Sequence, residues 1–265
     1  TGISTSNLID AAGAITLRGD TIGISTTGGH TIDANGGVGN VYLLPVTAAT
    51  ATSIAGASAF DLAQAELTQI TAGTGVIVVG EDAGGVGTRT SGAMTTGASA
   101  AANIGARNLR LSGTSLALGS GGGNTLTTTG SFRADVSGAI NGTGDDTTAE
   151  IVASSITMTA GSGIGATVAD LTASTISLAS TGGGNIDVDV LATGAVTVTQ
   201  ADVSGGAGSV RIDQTGSQTL DVTASTVNGA ITVTNDAGIT ATSVISQDGN
   251  VDLDASGLLT ATDVQ

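Results

Sequence analysis

A short apolar–polar–apolar triplet recurs through the second half of the chain. The first members of successive triplets stand at positions 156, 176, 196, 220, 239 and 259. A second series interleaves with the first, with first members at positions 186, 210, 231 and 251, and both series lengthen at the same step. Two series that keep pace in this way indicate a repeating coil of about 20 residues, which is typical of a solenoid. The first series is Ile156–Met158, Ile176–Leu178, Val196–Val198, Leu220–Val222, Ile239–Ala241 and Leu259–Ala261, and the second is Ile186–Val188, Val210–Ile212, Ile231–Val233 and Val251–Leu253.

Each triplet predicts a short β-strand whose first and third side chains point inward and whose second points outward. Glycine, asparagine and serine between the triplets predict corners, so that the chain closes into a coil. One coil cannot bury its apolar edge alone, whereas a stack of coils forms a continuous core with strand paired on strand. The sequence therefore predicts an all-β fold, a parallel β-helix that spans residues 1–265 as one domain. The rule for parallel crossovers makes it right-handed.

The composition agrees with a narrow interior. The chain has 43 glycines and no cysteine or tryptophan, and its aromatic residues are Tyr42, Phe60 and Phe132. Globular cores of this size use more large aromatic side chains to fill space. At 40% hydrophobic residues the chain is also too apolar to be disordered.

The net charge of −16 excludes several classes of partner. A chain with six basic residues, all arginine, has no basic surface with which to displace counterions from nucleic acid or to bind anionic lipid. No apolar run approaches the roughly 18 residues that a membrane span needs. The chain starts at Thr1 without methionine and stops at Gln265 in mid-coil. We therefore expect a part of a larger chain or a homopolymer, without a membrane span.

One region departs from the regular coil pattern. Residues 57–102 predict an irregular or protruding segment within the β-helix. Ala57–Ile70 has helical composition and predicts a short helix or a bulging loop. Residues 81–102 are rich in glycine, threonine and alanine and predict the protruding loop.

Residues 60–74, FDLAQAELTQITAGT, precede an apolar strand, and this stretch resembles a segment of large bacterial exoproteins of the filamentous haemagglutinin type. The corner at Gly182–Val188, GGGNIDV, is similar to the repeats of that family. The resemblance implies a right-handed β-helix exported to a bacterial surface, where it serves as an adhesin or fibre. The Asn-Pro-Asn-Gly motif of the family's secretion domain is missing, so the resemblance implies an interior or distal part of such a protein.

Four aspartates are the candidate metal ligands. Asp187, Asp189, Asp252 and Asp254 fall on the outward series of the triplets, together with Asp213. Carboxylates stacked on neighbouring strands repel one another, and a hard divalent cation with oxygen ligands would relieve that repulsion. The sequence has neither the calcium-binding nonapeptide of β-rolls nor an EF-hand loop. Calcium is therefore the one cofactor that we weigh, against a default of none.

Catalysis is not predicted. His30 is the only histidine, and its glycine neighbours indicate a corner before a strand. The carboxylate pairs Asp187/Asp189, Asp252/Asp254 and Asp145/Asp146 keep a polysaccharide-acting enzyme as an alternative. Arg18-Gly19-Asp20 is read as a turn between two strands rather than as an integrin ligand.

A regular array of threonine favours another alternative, an ice-binding face. We predict two outward columns of side chains along the first triplet series, although threonine is a favoured outward residue in any strand. The predicted pairs are Thr157/Thr159, Ser177/Ala179, Thr197/Thr199, Asp221/Thr223, Thr240/Thr242 and Thr260/Thr262.

The favoured function is structural and adhesive. We expect an extracellular protein of a bacterial surface that forms a rod or fibre and that self-associates or contacts glycans on cell surfaces. The alternatives that stay open are a calcium-stabilised self-assembling fibre or layer, an ice-binding solenoid and a polysaccharide-acting enzyme.

Overall fold

Nearly all of the regular secondary structure in the described part of the chain is parallel β-strand. The computed structural model describes residues 2–5, 8–26, 31–71, 73–82, 91–97, 99–119, 124–144 and 147–265. It is 2% helical, with parallel strands stacked as a β-solenoid of about 10 turns, which confirms the predicted fold class. The chain divides into two compact units, Thr1–Asp135 (unit 1) and Val136–Gln265 (unit 2).

Unit 1 contains fifteen of the described strands and the helix, and its last strand ends one residue into unit 2. In chain order these are β1 (Gly2–Thr5), β2 (Ile9–Ala11), β3 (Ile15–Arg18), β4 (Thr21–Ile24), β5 (Ile32–Ala34), β6 (Val41–Leu44), β7 (Thr50–Ile54), β8 (Phe60–Leu62), α1 (Gln64–Leu67), β9 (Val76–Val79), β10 (Ser91–Thr96), β11 (Ala102–Asn103), β12 (Asn108–Gly113), β13 (Ser115–Ala117), β14 (Leu126–Thr127) and β15 (Ser131–Val136).

Unit 2 contains the remaining thirteen described strands, which are on average longer. They are β16 (Ile140–Asn141), β17 (Ile151–Val152), β18 (Ser155–Ala160), β19 (Ile164–Thr172), β20 (Thr175–Ser180), β21 (Ile186–Val190), β22 (Val196–Ala207), β23 (Val210–Gln214), β24 (Leu220–Asn228), β25 (Ile231–Asn235), β26 (Ile239–Ser246), β27 (Val251–Ala255) and β28 (Leu259–Ala261).

Two parallel sheets run the length of unit 2. The threonine sheet is ordered β18-β20-β22-β24-β26-β28, and the aspartate sheet is ordered β16-β19-β21-β23-β25-β27. Each coil contributes one strand to each sheet, and strands that neighbour in the sheet belong to successive coils. The inward positions that follow one another in register are Ile156, Ile176, Val198, Val222 and Ala241. The predicted spacing between coils, about 20 residues, is therefore confirmed for this unit.

The inward triplet positions form continuous apolar columns. In the aspartate sheet, Ile164, Ile186, Val210, Ile231 and Val251 pair in register from coil to coil. The first four of these are at most 1% exposed. Each of these four side chains is covered on both sides by the same position of the neighbouring coils. A column of branched aliphatic residues therefore buries its area without any large ring.

Glycine forms the predicted corner at residues 182–185. Gly183 has a φ of 95° and Gly184 a φ of 87°, a left-handed conformation that other residues adopt only with strain. The following Asn185 accepts a hydrogen bond from the Ser209 amide of the next coil at 2.9 Å through its side-chain oxygen. The corner thus turns the chain, and the Asn185 side chain connects it to the adjacent coil.

Part of unit 1 is built from longer coils than the sequence predicts. Ile15 pairs with Val41, Val41 with Ile77 and Ile77 with Leu109, so these coils are spaced by 26, 36 and 32 residues. Elsewhere in the unit the spacing is close to the predicted repeat, since β2 and β5 pair at 23 residues and β10 and β13 at 22. The extra residues lie in excursions between strands, such as α1. Phe60 and Phe132 are each at most 1% exposed, so both of the protein's phenylalanines fill the interior of this unit.

The irregular segment 57–102 is only partly as predicted. The short helix exists as α1, between β8 and β9. The expected loop at 81–102 is wrong for Ser91–Thr96, because β10 pairs in parallel with β7 on one side and β13 on the other. Residues 83–90 and 98 lie outside the described part of the chain. Among the described residues, no helix is long and apolar enough to cross a membrane.

The backbones of neighbouring coils approach closely at Gly205 near the end of β22. A Cβ atom added to Gly205 would overlap the Thr181 carbonyl of the preceding coil, whereas one added to Gly194 would meet nothing within 4 Å. Gly205→Ala should therefore lower the free energy of unfolding by about 1–3 kcal/mol, because the two coils must separate to admit the methyl group. Gly194→Ala, the matched control, should change it by no more than about 0.5 kcal/mol. Urea unfolding measures both, and equal values would contradict the packing described.

Candidate functional site

The four aspartates predicted as metal ligands lie in two separate pairs. Neighbouring strands place Asp187, Arg211, Thr232 and Asp252 in one outward column of the aspartate sheet. The adjacent column contains Asp189, Asp213, Thr234 and Asp254. The pair on β21 is thus three strand spacings, roughly 14 Å, from the pair on β27. One calcium ion cannot contact both pairs.

Arg211 occupies the position where the sequence suggested a cation. Its Nη1 atom lies 2.6 Å from Asp187 Oδ1 and 2.9 Å from Asp189 Oδ1, and its Nη2 atom lies 3.1 Å from Asp213 Oδ2. Burial disfavours the charged guanidinium, but the hydrogen bond to Asp187 and the charges of Asp189 and Asp187 outweigh it, so the pKa of Arg211 is raised. The repulsion between stacked carboxylates is relieved here by an arginine of the neighbouring strand.

The acidic column extends further than the sequence indicated. Asp170 pairs in register with Asp189, which pairs with Asp213. The Glu150 side chain accepts hydrogen bonds from the Asp170 amide and, at 2.8 Å, from the Thr143 amide. Sequence reasoning missed Glu150 and Asp170 because irregular pairing, with a register shift between Ile164 and Ala169, hides their alignment with the later triplets.

Burial of this column also differs from expectation. Asp189 was predicted on the solvated outer surface, yet it is 5% exposed, and Asp170 and Glu150 are 0% and 2% exposed. Buried carboxylates need charge or hydrogen-bond partners. Arg211 supplies one to Asp189, and the Thr143 and Asp170 amides supply them to Glu150. Within the described ranges, no group of three histidine, cysteine, aspartate or glutamate side chains could hold a metal ion. Calcium binding by the four aspartates therefore stays a prediction, and Arg211 offers a competing account of the β21 pair.

A second network of charges lies in unit 1. Arg110 Nη2 is 2.9 Å from Glu81 Oε2, and its Nε atom is 2.9 Å from Asp135 Oδ2. Arg133 Nε also reaches Asp135 Oδ2, at 2.8 Å. Glu81 and Asp135 are 2% and 3% exposed, so two buried carboxylates are balanced by the partly buried Arg110 and the exposed Arg133. Sequence reasoning missed this network, because its acids and arginines lie outside the two triplet series of residues 156–261.

The network lowers the pKa of Asp135. Burial is the largest single influence and opposes ionisation of the carboxyl group. The hydrogen bond and charge of Arg133, together with those of Arg110, outweigh burial, so the pKa of Asp135 falls below its ordinary value of 3.8. The ionised carboxylate is therefore bound more tightly in the folded protein than in the unfolded chain.

The predicted two-column array of threonine does not form. Thr197 pairs with Thr175, not with Ser177, and a register shift after Ile176 places Gln200 beside Ser177. Asp202 lies beside Ala179 on the same strand pair. Both columns are in register between β18 and β20, where Thr157 pairs with Ser177 and Thr159 with Ala179. A single column continues across the later strands of the threonine sheet, as Thr197, Asp221, Thr240 and Thr260. A flat, regular face of the kind expected for ice binding is thus interrupted at β22.

Other candidate residues are engaged in the structure or lie outside it. Arg18 forms an ion pair with Asp82, and the Asp20 side chain accepts a hydrogen bond from the Thr47 amide at 2.7 Å. Both charged members of the Arg-Gly-Asp tripeptide therefore have partners within the protein. His30 and the pair Asp145/Asp146 lie outside the described residues. The absence of catalysis remains a prediction.

Loss of Arg211 should destabilise unit 2. Arg211→Met would leave Asp187, Asp189 and Asp213 without their shared cation, and we expect the free energy of unfolding to fall by about 1–3 kcal/mol. The loss should shrink as salt is added, because dissolved ions screen the remaining repulsion. Arg18→Met, which breaks a more exposed pair, is the control and should cost at most about 1 kcal/mol. Equal losses for both variants in urea unfolding would contradict the role assigned to Arg211.

Acid should weaken the network in unit 1. Because the folded pKa of Asp135 is lowered, its contribution is present above the unfolded value of about 4 and is lost as the pH falls through the folded value. Asp135→Asn should therefore cost about 2 kcal/mol at pH 7 and reduce the loss of stability between about pH 4 and pH 2. Unfolding measured across this range, with the exposed Asp252→Asn as control, tests the assignment. An unchanged acid dependence in Asp135→Asn would refute it.

Comparisons with known proteins add no relative to this geometry. A scan against family models and searches of curated proteins and of solved structures found no match. The resemblance of residues 60–74 to filamentous haemagglutinin-type exoproteins therefore remains a prediction. What is known of the chain is its solenoid fold and its two networks of charge.

Proposed function

We propose that this chain is a structural and adhesive β-solenoid of a bacterial cell surface, where it forms part of an extracellular rod or fibre. The observation that carries the proposal is the continuous ladder of unit 2. Six strands of the threonine sheet pair in parallel from β18 to β28, and the aspartate sheet does the same from β16 to β27. An interior strand is held on both sides, so no interior coil can leave the stack without breaking the rows of hydrogen bonds to both neighbouring coils.

The charged residues support a structural role. Arg211 and Arg110 each bridge carboxylates on more than one strand. Their partners Asp189, Glu81 and Asp135 are at most 5% exposed, so these groups serve contacts within the protein. Groups that act on a substrate must be within reach of it. This use of charge favours a structural protein over the enzyme alternative.

The outer surface suits an exported, adhesive segment. Threonine, serine and aspartate occupy the outward positions of both sheets, and the net charge of −16 favours solubility and repulsion between neighbouring copies. Hydroxyl and carboxylate groups in regular columns can form hydrogen bonds with glycans on another cell. The resemblance of residues 60–74 to bacterial exoproteins supports the same location.

Pulling on the two ends of the chain tests the structural part of the proposal. If coils leave the stack one after another, each coil of about 20 residues should lengthen the chain by about 60 Å. Force spectroscopy on the purified protein should then record repeated steps of this size from unit 2, and larger ones from the longer coils of unit 1. Release of the whole chain in a single step at low force would contradict a rod that bears load.

Adhesion and location need a different measurement. Antibodies raised against the purified chain should label intact cells of the source bacterium without permeabilisation. The purified, fluorescently labelled protein should also bind to glycan-bearing cell surfaces in a saturable manner, and enzymatic removal of the glycans should abolish binding. Labelling that requires permeabilised cells would rule out a surface location, and binding that survives glycan removal would rule out glycan contacts.

A further inference from the structure

Residues 60–71 of unit 1, which contain β8 and α1, bury their large apolar side chains in the interior. Phe60, Leu62 and Leu67 are 0% exposed, and Ile70 is 2% exposed. α1 lies in the middle of this segment, and the Glu66 carboxylate accepts the Ala63 amide at 2.8 Å, which satisfies one of the free donors at the start of the helix. We name residues 60–71 the clasp.

The clasp is bonded to the coil that precedes it. Glu66 Oε1 accepts a hydrogen bond from the Ile24 amide of β4 at 2.9 Å. At its end, Ile32 of β5 donates its amide to the Gln69 carbonyl at 2.9 Å and accepts the Thr71 amide at 2.9 Å. One side-chain contact and two backbone contacts therefore connect these two coils.

The clasp is also bonded to the coil that follows it. Gln64 Oε1 accepts the Asn103 amide at 2.8 Å. Arg107 donates from Nε to the Ile70 carbonyl and from Nη2 to the Thr68 carbonyl, each at 2.7 Å. Hydrogen bonds from a charged group are about twice as strong as those between neutral groups.

Arg107 is placed to hold this junction. Its Nη1 atom donates to the Ile104 carbonyl of its own coil at 2.8 Å, so one guanidinium spans both coils. Burial lowers the pKa of Arg107, but arginine stays charged at all ordinary pH values. A small cavity of about 10 Å³ lies beside it, lined by Ala34, Ile70 and Arg107 among others.

Unit 2 differs from unit 1 in two ways. Within its described residues, 136–144 and 147–265, no helix lies between the strands. Its sequence has 13 aspartates and one glutamate against Arg211 alone, a formal balance of −13, whereas unit 1 has eight acidic residues against five arginines. Self-repulsion therefore opposes the compact state of unit 2 more strongly than that of unit 1.

We propose that the clasp locks three successive coils of unit 1 together and so sets the order of opening, in which unit 2 unravels first and the clasped coils last. This inference rests on the proposed load-bearing function, for which it supplies the device that limits unravelling. A rod that opens in this order lengthens under strain while one unit stays folded.

Hydrogen exchange tests the clasp without applying force. In the intact wild-type chain at low denaturant, the amides of Ile239–Ser246 should exchange at least tenfold faster than those of residues 67–71. Arg107→Met keeps an unbranched apolar side chain but removes the guanidinium and its three hydrogen bonds. It should accelerate exchange in residues 67–71 at least tenfold and leave Ile239–Ser246 unchanged. Gln64→Ala, which removes only the contact to Asn103, serves as the milder variant if Arg107→Met does not fold.

The control is Arg18→Met, which removes an arginine from unit 1 outside the clasp. Faster exchange in unit 1 than in unit 2 of the wild type would overturn the proposal, as would a change of less than twofold in both clasp variants. Equal acceleration by Arg18→Met would show a general loss of stability rather than a clasp. Since exchange involves neither force nor a cell surface, the clasp can fail while the proposed function holds, and the reverse.

Discussion

The parallel hydrogen-bond ladder between successive coils is the constraint on which the rest of this structure depends. Once Ile186 pairs with Val210 and Val210 with Ile231, each inward side chain must sit on its equivalent in the next coil. The interior is then filled by columns of similar aliphatic residues. The backbones of neighbouring coils also approach closely, which is why glycine is needed at positions such as Gly205 of β22, against Thr181.

The ladder also creates the electrostatic problem that the charged residues solve. Stacking places identical outward positions about 4.8 Å apart, so a second aspartate in a column faces the first directly. In unit 2, Arg211 supplies the compensating charge and donates hydrogen bonds to Asp187, Asp189 and Asp213. In unit 1, Arg110 and Arg133 form ion pairs with Glu81 and Asp135. In both units the compensation comes from within the protein.

The sequence predicted the coil of unit 2 well, because the period of its apolar triplets equals the period of the structure. The sequence did not predict the register between β20 and β22. Val196 and Val198 are both apolar, so the triplet pattern allows either residue to align with Ile176. The structure shows that Val198 does. The long coils of unit 1 were not predicted for a related reason, since segments such as residues 60–71 interrupt the period of the apolar triplets. Arg211 was visible in the sequence, but its three partners could be assigned only once the register between β21 and β23 was known.

The one-to-one pairing of coils in unit 2 bears on how such a protein can change in length. Removing a few residues from one strand would move every inward side chain of that strand out of its column, or turn it outward. Removing one entire repeat, for instance residues 156–175, would instead leave all remaining columns aligned, because Ile176 would then take the place of its partner Ile156. Evolution should therefore lengthen or shorten this protein by duplication and loss of entire coils. Smaller insertions should collect at the corners, where the columns do not pass.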